Sequence, residues 1–323
     1  MAKHVPAIGY FREAGIDVCG GIYAMHGRRI CCSSATMPMF WRRMLVANQL
    51  PRPGRTGLSR RAIATPTAIL GSWDYNNYGH FWLDVAPRLF SLQRFRPDLL
   101  ATLSIAVPGD LASWARDALC TIYGLSAGSF VDCDVATEYL RCDDAIIPAL
   151  IHTNYDLHPL ALEFYRYVVE VCAAGTKGES PDRLIYVTRR RFSQRAGRPV
   201  RTIANAAESE ALAASMGFDI VAPEELNWRD QVTSFSQARV VVGEHGSAMK
   251  NLLFAPRGAV AVAIDILNPT QGQIAALKGQ GYIVIKSDGF AAGDPLRPHV
   301  INLARLRMAI RKAIELACPL RRS

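Results

Sequence analysis

Asn77, His80 and Asp84 are spaced so that a helix would place all three on one face. They belong to the segment "DYNNYGHFWLDVAPRL", residues 74–89, and His80 and Asp84 lie one helical turn apart. A carboxylate beside an imidazole orients the ring and raises its basicity, as a general base requires. The pair is therefore a candidate catalytic base. The alternative is a solvated polar face or a helix-capping network.

A second polar group follows the apolar run in "RVVVGEHGSAMKNLLF", residues 239–254. Gly246 and Ser247 are expected to begin a helix directly after a buried strand that ends near Gly243. Free N–H groups and the helix dipole attract an anion there, and glycine lets the backbone approach a phosphate closely. His245 would add a hydrogen-bond donor or, when protonated, a positive charge. The spacing fits neither the dinucleotide fingerprint nor a P-loop, so an ordinary strand–turn–helix is the alternative.

A third group is the basic segment "VTRRRFSQRAGRPVR", residues 187–201. Arg189 and Arg190 stand where a parallel strand is expected to end. Guanidinium groups pair with phosphate oxygens two at a time, so these arginines are candidates for binding a phosphorylated ligand. A solvated basic loop is the alternative.

The first half of the chain supplies strands and helices in alternation. A strand at 67–73 precedes a helix at 79–95, which Pro87 is expected to disturb unless it lies in the first turns. This order places His80 at the end of a strand. Further strands are predicted at 101–108, 129–134 and 144–150, and further helices at 109–124 and 158–175.

The second half alternates more regularly. Its Val- and Ile-rich strands lack polar alternation, which is typical of strands buried on both faces of a parallel sheet. They are predicted at 183–189, 218–223, 239–244, 259–265 and 282–287, with helices between them. Ligands bind outside the carboxyl ends of such strands, where Arg189 and His245 lie.

The polar segment "TKGESPD", residues 176–182, is predicted to link two α/β domains. The first domain is then 1–175 and the second is 183–290. Residues 291–323 would add a C-terminal helix, for which packing back on the N-terminal domain is one option.

Charge and cysteine content narrow the function classes. The formal net charge of +9 favours a polyanionic partner, which leaves nucleic acid, anionic lipid and phosphorylated ligands open. No helix-turn-helix or RNA-binding signature is visible, so nucleic acid is not the expected partner. The eight cysteines lack zinc-site spacing and suit a reducing cytosol, and the sequence shows neither a convincing signal peptide nor a membrane-spanning run.

These segments together resemble glycosyltransferase family 61. "NYGHFWLDVAPRL" is similar to that family's Asn-(Tyr/Phe)-x-His-(Trp/Phe)-Leu-x-Asp-x-x-Pro signature. "VVVGEHGSAMKNLLF" is similar to its Gly-x-His-Gly-(Ala/Ser)-x-x-x-Asn-x-x-Phe element. Between them, "RLIYVTRR" and "RTIANAAESEAL" match the strand ending in Arg and the Arg-x-Ile-x-Asn-x-x-Glu helix start. The resemblance covers residues 67–266 in order.

The resemblance implies a GT-B fold, with two Rossmann-like domains facing a cleft. It implies an inverting, metal-independent transferase that moves a sugar from a nucleotide-sugar donor to a glycan hydroxyl, with no metal and no cofactor other than the donor. The acceptor is a glycan or a lipid-linked glycan, as in polysaccharide biosynthesis. A cytoplasmic enzyme follows, with peripheral contact to an anionic inner membrane face as one option.

The resemblance also implies roles for single residues. His80 or Asp84 would be the base, with Asp84 orienting the ring in the first case. Asn205 and Glu208 could contact the nucleoside, and Asn251 would cap or position the anion-site helix. The full set expected on the donor side is Asn77, Arg189, Arg190, Asn205, Glu208, Gly243, His245, Gly246, Ser247 and Asn251.

Two departures from the family pattern bear on the choice of donor. Ala206 stands where many relatives have an acid, and Lys250 stands where small or polar residues are common. The rival functions are an epimerase acting on a nucleotide sugar and a non-catalytic protein that binds one. An epimerase would form its product without an acceptor, and a binding protein would never turn its ligand over.

Overall fold

The computed structural model of the chain divides into two units, residues 1–164 and 165–323. The structure describes residues 9–19, 23–26, 29–30, 57–72, 74–134, 136–153, 156–173, 181–195, 200–201, 203–291, 293–294 and 296–317. Most of the predicted linker at 176–182 lies outside these residues. The domain limits predicted from the sequence therefore stay predictions.

The first unit is built on a mixed eight-stranded sheet. Its strands are β1 (Tyr10–Cys19), β2 (Tyr23–His26), β3 (Arg29–Ile30), β4 (Ser59–Ile63), β5 (Thr67–Ile69), β6 (Ser104–Pro108), β7 (Phe130–Cys133) and β8 (Glu138–Pro148). Their order is β3-β2-β1-β8-β5-β6-β7, and β4 also pairs with β8. β1, β2 and β3 pair antiparallel, in a region where the sequence pattern was hard to interpret.

In the parallel part of this sheet, the order in which the chain adds strands reverses at β5. From β5 the chain adds β6 and then β7 on one side, and β8 then returns to the other side of β5. Thr67 pairs with Ala145 and Ala68 with Ile146, so the carboxyl ends of β5 and β8 are neighbours. In α/β sheets, such a switch in strand order is where ligands bind.

The helix predicted at 79–95 is broken in the structure. One α-helical turn, Tyr78–His80, passes into a turn of π-helix, Phe81–Val85, and a separate helix spans Arg88–Phe95. The break falls at Pro87, which has no N–H to donate and so cannot continue the helical ladder. Short π-helical turns inside helices often occur at functional sites. The remaining helices of this unit are Pro97–Leu100, Ser113–Tyr123 and the 3₁₀ turn Ala127–Ser129, and the helix Leu160–Ala173 crosses into the second unit.

The second unit has the parallel sheet that the sequence predicted. Its strands are β11 (Arg183–Val187), β12 (Asp219–Val221), β13 (Ala238–Glu244), β14 (Val260–Ile264) and β15 (Gly281–Ile285). The order is β12-β11-β13-β14-β15, and every pair is parallel. The strand order switches between β11 and β13, so ligands are expected where those two strands end. A short hairpin, β9 (His152–Thr153) and β10 (Asp156–Leu157), precedes this unit.

Helices cover this second sheet. They are Arg190–Arg195, Ala206–Ser215, Trp228–Ser236, Thr270–Lys278 and Leu303–Ala317, with 3₁₀ turns at Pro223–Glu225 and Ser247–Leu253. The last helix buries Leu306 and Ile310 in one cluster with Val240 and Val262, so it packs on the second unit's own sheet. In the described part of the chain, no helix is long and apolar enough to cross a membrane.

Candidate functional site

The carboxyl ends of β5 and β8 bring a carboxylate and two imidazoles together in the first unit. His80 Nδ1 lies 2.7 Å from Asp84 Oδ2, as the spacing predicted. His152 Nε2 lies 2.6 Å from Asp84 Oδ1 on the other side of the carboxylate. His152 is not among the candidate residues that the sequence motifs indicate. Its only signal was that it follows the predicted strand at 144–150.

Local hydrogen bonds fix the start of this segment. The Asn77 side chain accepts from the backbone N–H groups of Gly79 and His80, at 3.1 and 3.4 Å, so Asn77 caps the helical turn. Asn76 ties the same loop to the segment after β6, because its Oδ1 accepts from Ala112 N at 2.8 Å. Asn77 was predicted on the donor side, and the structure places it next to His80 instead. Its donor contact stays a prediction.

Asp84 is held as a buried anion. Burial raises the pKa of its carboxyl, but hydrogen bonds from His152 and His80 outweigh that effect and hold the pKa well below its ordinary value. An ionised carboxylate accepts hydrogen bonds, so both imidazoles donate an N–H to it. His80 therefore carries a proton on Nδ1, which leaves Nε2 as the ring nitrogen that can accept a proton. Asp74 Oδ2 lies 3.8 Å from His80 Nε2.

In the second unit, two guanidinium groups converge at the ends of β11 and β13. Arg201 Nη2 donates to the carbonyl oxygen of His245 at 2.5 Å, and Arg189 Nη1 donates to the same oxygen at 3.4 Å. A Cβ atom at Gly246 would lie 3.0 Å from Arg189 Nη1 and 3.3 Å from Arg201 Nη2. Gly246 therefore leaves room for both guanidinium groups. Together they form a strongly positive position of the kind that binds phosphate.

The positive character of this position changes the ionisation of its members. Burial, followed by the charge of Arg189, lowers the pKa of Arg201 to about 10, so the group stays charged at neutral pH. Burial and the charges of Arg201, Lys250 and Arg189 lower the pKa of His245 to about 4. His245 is therefore neutral at neutral pH. Of the two roles left open by the sequence, the structure supports a neutral hydrogen-bonding group.

Two buried acids and a histidine lie beside the arginines. His299 Nε2 lies 3.6 Å from Asp265 Oδ2 and 4.0 Å from Glu244 Oε2. Burial raises the pKa of Glu244, although Arg189, His299 and Arg201 counteract it. Asp265 has a positive φ of 61° and accepts from Ser287 N and Oγ, at 2.9 and 2.6 Å. Of these groups, Glu244 and Asp265 act to raise the pKa of Arg201 and so favour its charged form.

The predicted helix after Gly246 is a 3₁₀ helix, Ser247–Leu253, rather than an amphipathic α-helix. Its hydrogen bonds join residues three apart, as from Met249 N to Gly246 O at 3.2 Å, so the expected amphipathic α-helix does not form here. The helix dipole at Ser247 is therefore expected to attract an anion less strongly than that of a longer α-helix. Asn251 is fully buried and donates from Nδ2 to Gln231 Oε1 and Ala248 O, both at 3.0 Å, and the positioning role expected for it stays a prediction.

Two residues predicted to bind the donor have other contacts, and a third is exposed. Arg190 pairs with Glu210, with Nη2 2.7 Å from Oε2. Asn205 donates to Ile301 O at 2.8 Å and accepts from Ile301 N at 2.9 Å. Glu208 is exposed in the first turn of Ala206–Ser215. Their contact with a donor stays a prediction, and Arg201 is the additional residue that the structure places beside Arg189.

Gly243 has a packing reason for its small size. A Cβ atom there would lie 2.7 Å from Met249 Sδ and 2.9 Å from Val187 Cβ. The absence of a side chain lets the end of β13 lie close to the end of β11. No group of three or more His, Cys, Asp or Glu in the described residues is arranged to hold a metal ion.

Comparison with known families identifies the family of this chain. The family model described as Glycosyltransferase 61 matches residues 78–262, more than half of the chain. The chain therefore belongs to glycosyltransferase family 61, as its motifs indicated, and the family indicates a glycosyltransferase with a nucleotide-sugar donor and a glycan acceptor in general. No curated protein matches the chain significantly.

Proposed function

We propose that this chain is an inverting, metal-independent glycosyltransferase that moves a sugar from a nucleotide sugar to a glycan hydroxyl. The observation that carries the proposal is the convergence of Arg189 and Arg201 on one carbonyl beside Gly246. The GT-B arrangement, with two Rossmann-like domains facing a cleft, is part of the proposal and rests on the family resemblance.

In the proposed reaction, the acceptor oxygen attacks the anomeric carbon while the bond from that carbon to the diphosphate breaks. The hydroxyl proton passes to Nε2 of His80, whose Nδ1–H is held by Asp84. The configuration at the anomeric carbon inverts because a single displacement occurs. Asp84 has 2% of its side chain exposed, which supports His80 as the base and Asp84 as its orienting partner.

The diphosphate leaves with a growing negative charge that positive groups must stabilise. Arg189 and Arg201 supply that charge, and neutral His245 and the backbone at Gly246 and Ser247 supply hydrogen bonds. Fixed guanidinium groups can take the part that a divalent cation plays in other transferases. The donor is thus the substrate, and no further cofactor is proposed.

The partners and location are also proposals. The acceptor would be a glycan or a lipid-linked glycan in polysaccharide biosynthesis, and the protein would act in the cytoplasm. The net charge of +9 supports peripheral contact with an anionic membrane. Flotation with vesicles of anionic and of neutral lipid tests this contact. Equal binding to both would overturn it.

The function itself is tested by a panel of nucleotide sugars in EDTA. One nucleotide family should raise the melting temperature, and its diphosphate should be released slowly without acceptor. His80→Ala should abolish turnover while leaving donor binding nearly unchanged, and Arg189→Ala should weaken donor binding. If no nucleotide or nucleotide sugar raises the melting temperature, the proposal fails.

A further inference from the structure

His152 comes after the second strand that bounds the switch point in the first unit. It begins β9, four residues after the end of β8, whereas His80 and Asp84 follow β5, the parallel neighbour of β8. The contact between His152 and Asp84 therefore depends on the pairing of these two strands. It joins parts of the chain that are 68 residues apart in sequence.

We propose that His152 is a positioning residue for the reaction, acting through Asp84 on His80. This inference rests on the proposed function, in which His80 is the base. The Asp84 carboxylate has one imidazole on each oxygen, at 2.7 Å for His80 and 2.6 Å for His152. With Oδ1 held by His152, Oδ2 is directed at His80 Nδ1, and the His80 ring is held with Nε2 toward the reacting hydroxyl.

The side chains of His80 and His152 differ in solvent exposure, and this difference indicates different roles. The side chain of His152 is 1% exposed and that of Asp84 is 2% exposed, whereas that of His80 is 13% exposed. His80 is thus the member of the three that a substrate can reach. His152 is buried from substrate, so its effect on the reaction passes through the carboxylate that it holds.

The physical reason is the cost of a buried carboxylate. An ionised carboxylate out of water needs hydrogen-bond donors for both oxygens, since each lost partner leaves a desolvated charge. Without His152, Oδ1 would lose its donor. The carboxylate would then either rotate away from His80 or take up a proton, and in both cases the His80 ring would lose its fixed orientation and tautomer.

The first experiment uses the wild-type full chain and needs no substrate. Two-bond ¹H–¹⁵N correlation spectra of the ¹⁵N-labelled protein report which ring nitrogen of each histidine carries the proton, with His80→Ala used to assign the His80 signal. The expected result at pH 8 is His80 with the proton on Nδ1 and His152 with a proton on Nε2. If His152 Nε2 is unprotonated, the inference is overturned.

Variants then separate positioning from structural support. His152→Ala removes the donor, whereas the amide of His152→Gln can place an N–H near the position of Nε2. The readout is the rate at which diethyl pyrocarbonate modifies His80, followed by mass spectrometry of its peptide. His152→Ala should change the His80 tautomer and lower this rate about tenfold, and His152→Gln should restore most of it.

His158→Asn is the matched control. His158 Nδ1 accepts from Leu160 N, and asparagine can keep that capping contact. This variant should leave the tautomer and modification rate of His80 unchanged. Unchanged His80 reactivity in His152→Ala, or a His152→Gln variant no better than His152→Ala, would overturn the inference.

A double-mutant cycle tests whether His152 and Asp84 act on His80 as one unit. If His152 acts only through Asp84, His152→Ala should have no further effect on His80 in an Asp84→Asn background. Additive effects would overturn the inference. On a donor identified by the panel, His152→Ala should lower turnover about 10- to 100-fold with little change in donor binding. Absence of turnover in every protein would instead count against the proposed function, while the His80 spectra would still decide the role of His152.

Discussion

Arg189 and Arg201 donate to one backbone oxygen, that of His245, from distances of 3.4 and 2.5 Å. Two like charges at one point repel each other, and this repulsion contributes to the lowered pKa of Arg201. A diphosphate between them would relieve it. The pair thus provides a physical reason for this end of the sheet to bind an anion, independent of any helix dipole.

Arg201→Ala should weaken binding of nucleoside diphosphates roughly 10- to 100-fold, because it removes a charge-assisted hydrogen bond worth about 1.5–3 kcal/mol. Titration calorimetry with UDP, GDP and pyrophosphate measures the change. Arg307→Ala removes the same charge from an exposed position on the last helix and should have little effect. Equal loss in both variants would show that Arg201 acts only through net charge.

Gly246→Ala should weaken the same binding by a smaller factor, about three- to tenfold. The added methyl group would meet Arg189 Nη1 at 3.0 Å and so displace the guanidinium group. Gly272→Ala is the matched control, because its Cβ would meet only the Tyr282 ring at an ordinary distance of 3.5 Å. Calorimetry showing unchanged affinity in Gly246→Ala would mean that the arginines need no space at this point.

Gly243→Ala should lower the free energy of unfolding by about 1–3 kcal/mol. Its Cβ would overlap Met249 Sδ and Val187 Cβ, at 2.7 and 2.9 Å, and would push β13 away from β11. Urea unfolding compares this variant with Gly272→Ala, which should be as stable as wild type or up to about 1 kcal/mol more stable, because Gly272 lies in the helix Thr270–Lys278 and alanine favours a helix. A Gly243→Ala protein as stable as wild type would contradict the packing explanation.

Asn205→Ala should also destabilise the protein, by about 1–3 kcal/mol, because both of its amide atoms are hydrogen-bonded to the backbone of Ile301. Glu208→Ala, at an exposed position in the following turn, should change stability by less than about 0.5 kcal/mol. Urea unfolding gives both values. Loss of nucleotide affinity without loss of stability in Asn205→Ala would favour the nucleoside contact predicted from the sequence.

His245 should make stability depend on pH. Its pKa is about 4 in the folded protein and ordinarily 6.5, so between these values the unfolded chain binds more protons. Stability contributed by neutral His245 is therefore present above about pH 6.5 and is lost as the pH falls toward 4. Urea unfolding at pH 7 and pH 5 should show a smaller pH effect in His245→Asn than in wild type. The same pH effect in both proteins would contradict the lowered pKa.

Local sequence patterns were sufficient for much of the fold. The Val- and Ile-rich strands predicted the parallel sheet of the second unit, because strands buried on both faces have few alternatives. The i,i+4 spacing predicted the contact between His80 and Asp84, because it depends on only one turn of helix. The break at Pro87 was one of the outcomes that the sequence predicted. The sequence failed where a local pattern competes with its surroundings, as in the 3₁₀ helix Ser247–Leu253.

The sequence by itself determined the family, the strands of the second unit and the residue pairs that are close along the chain. Only the tertiary structure brought His152 to Asp84 and Arg201 to His245. The first contact follows from strand order, since β8 returns beside β5, and the pairing of β13 with β11 likewise brings Arg189 to His245. The reason is physical: side-chain spacing along one element is fixed by backbone geometry, whereas the meeting of two loops depends on which strands pair across the sheet.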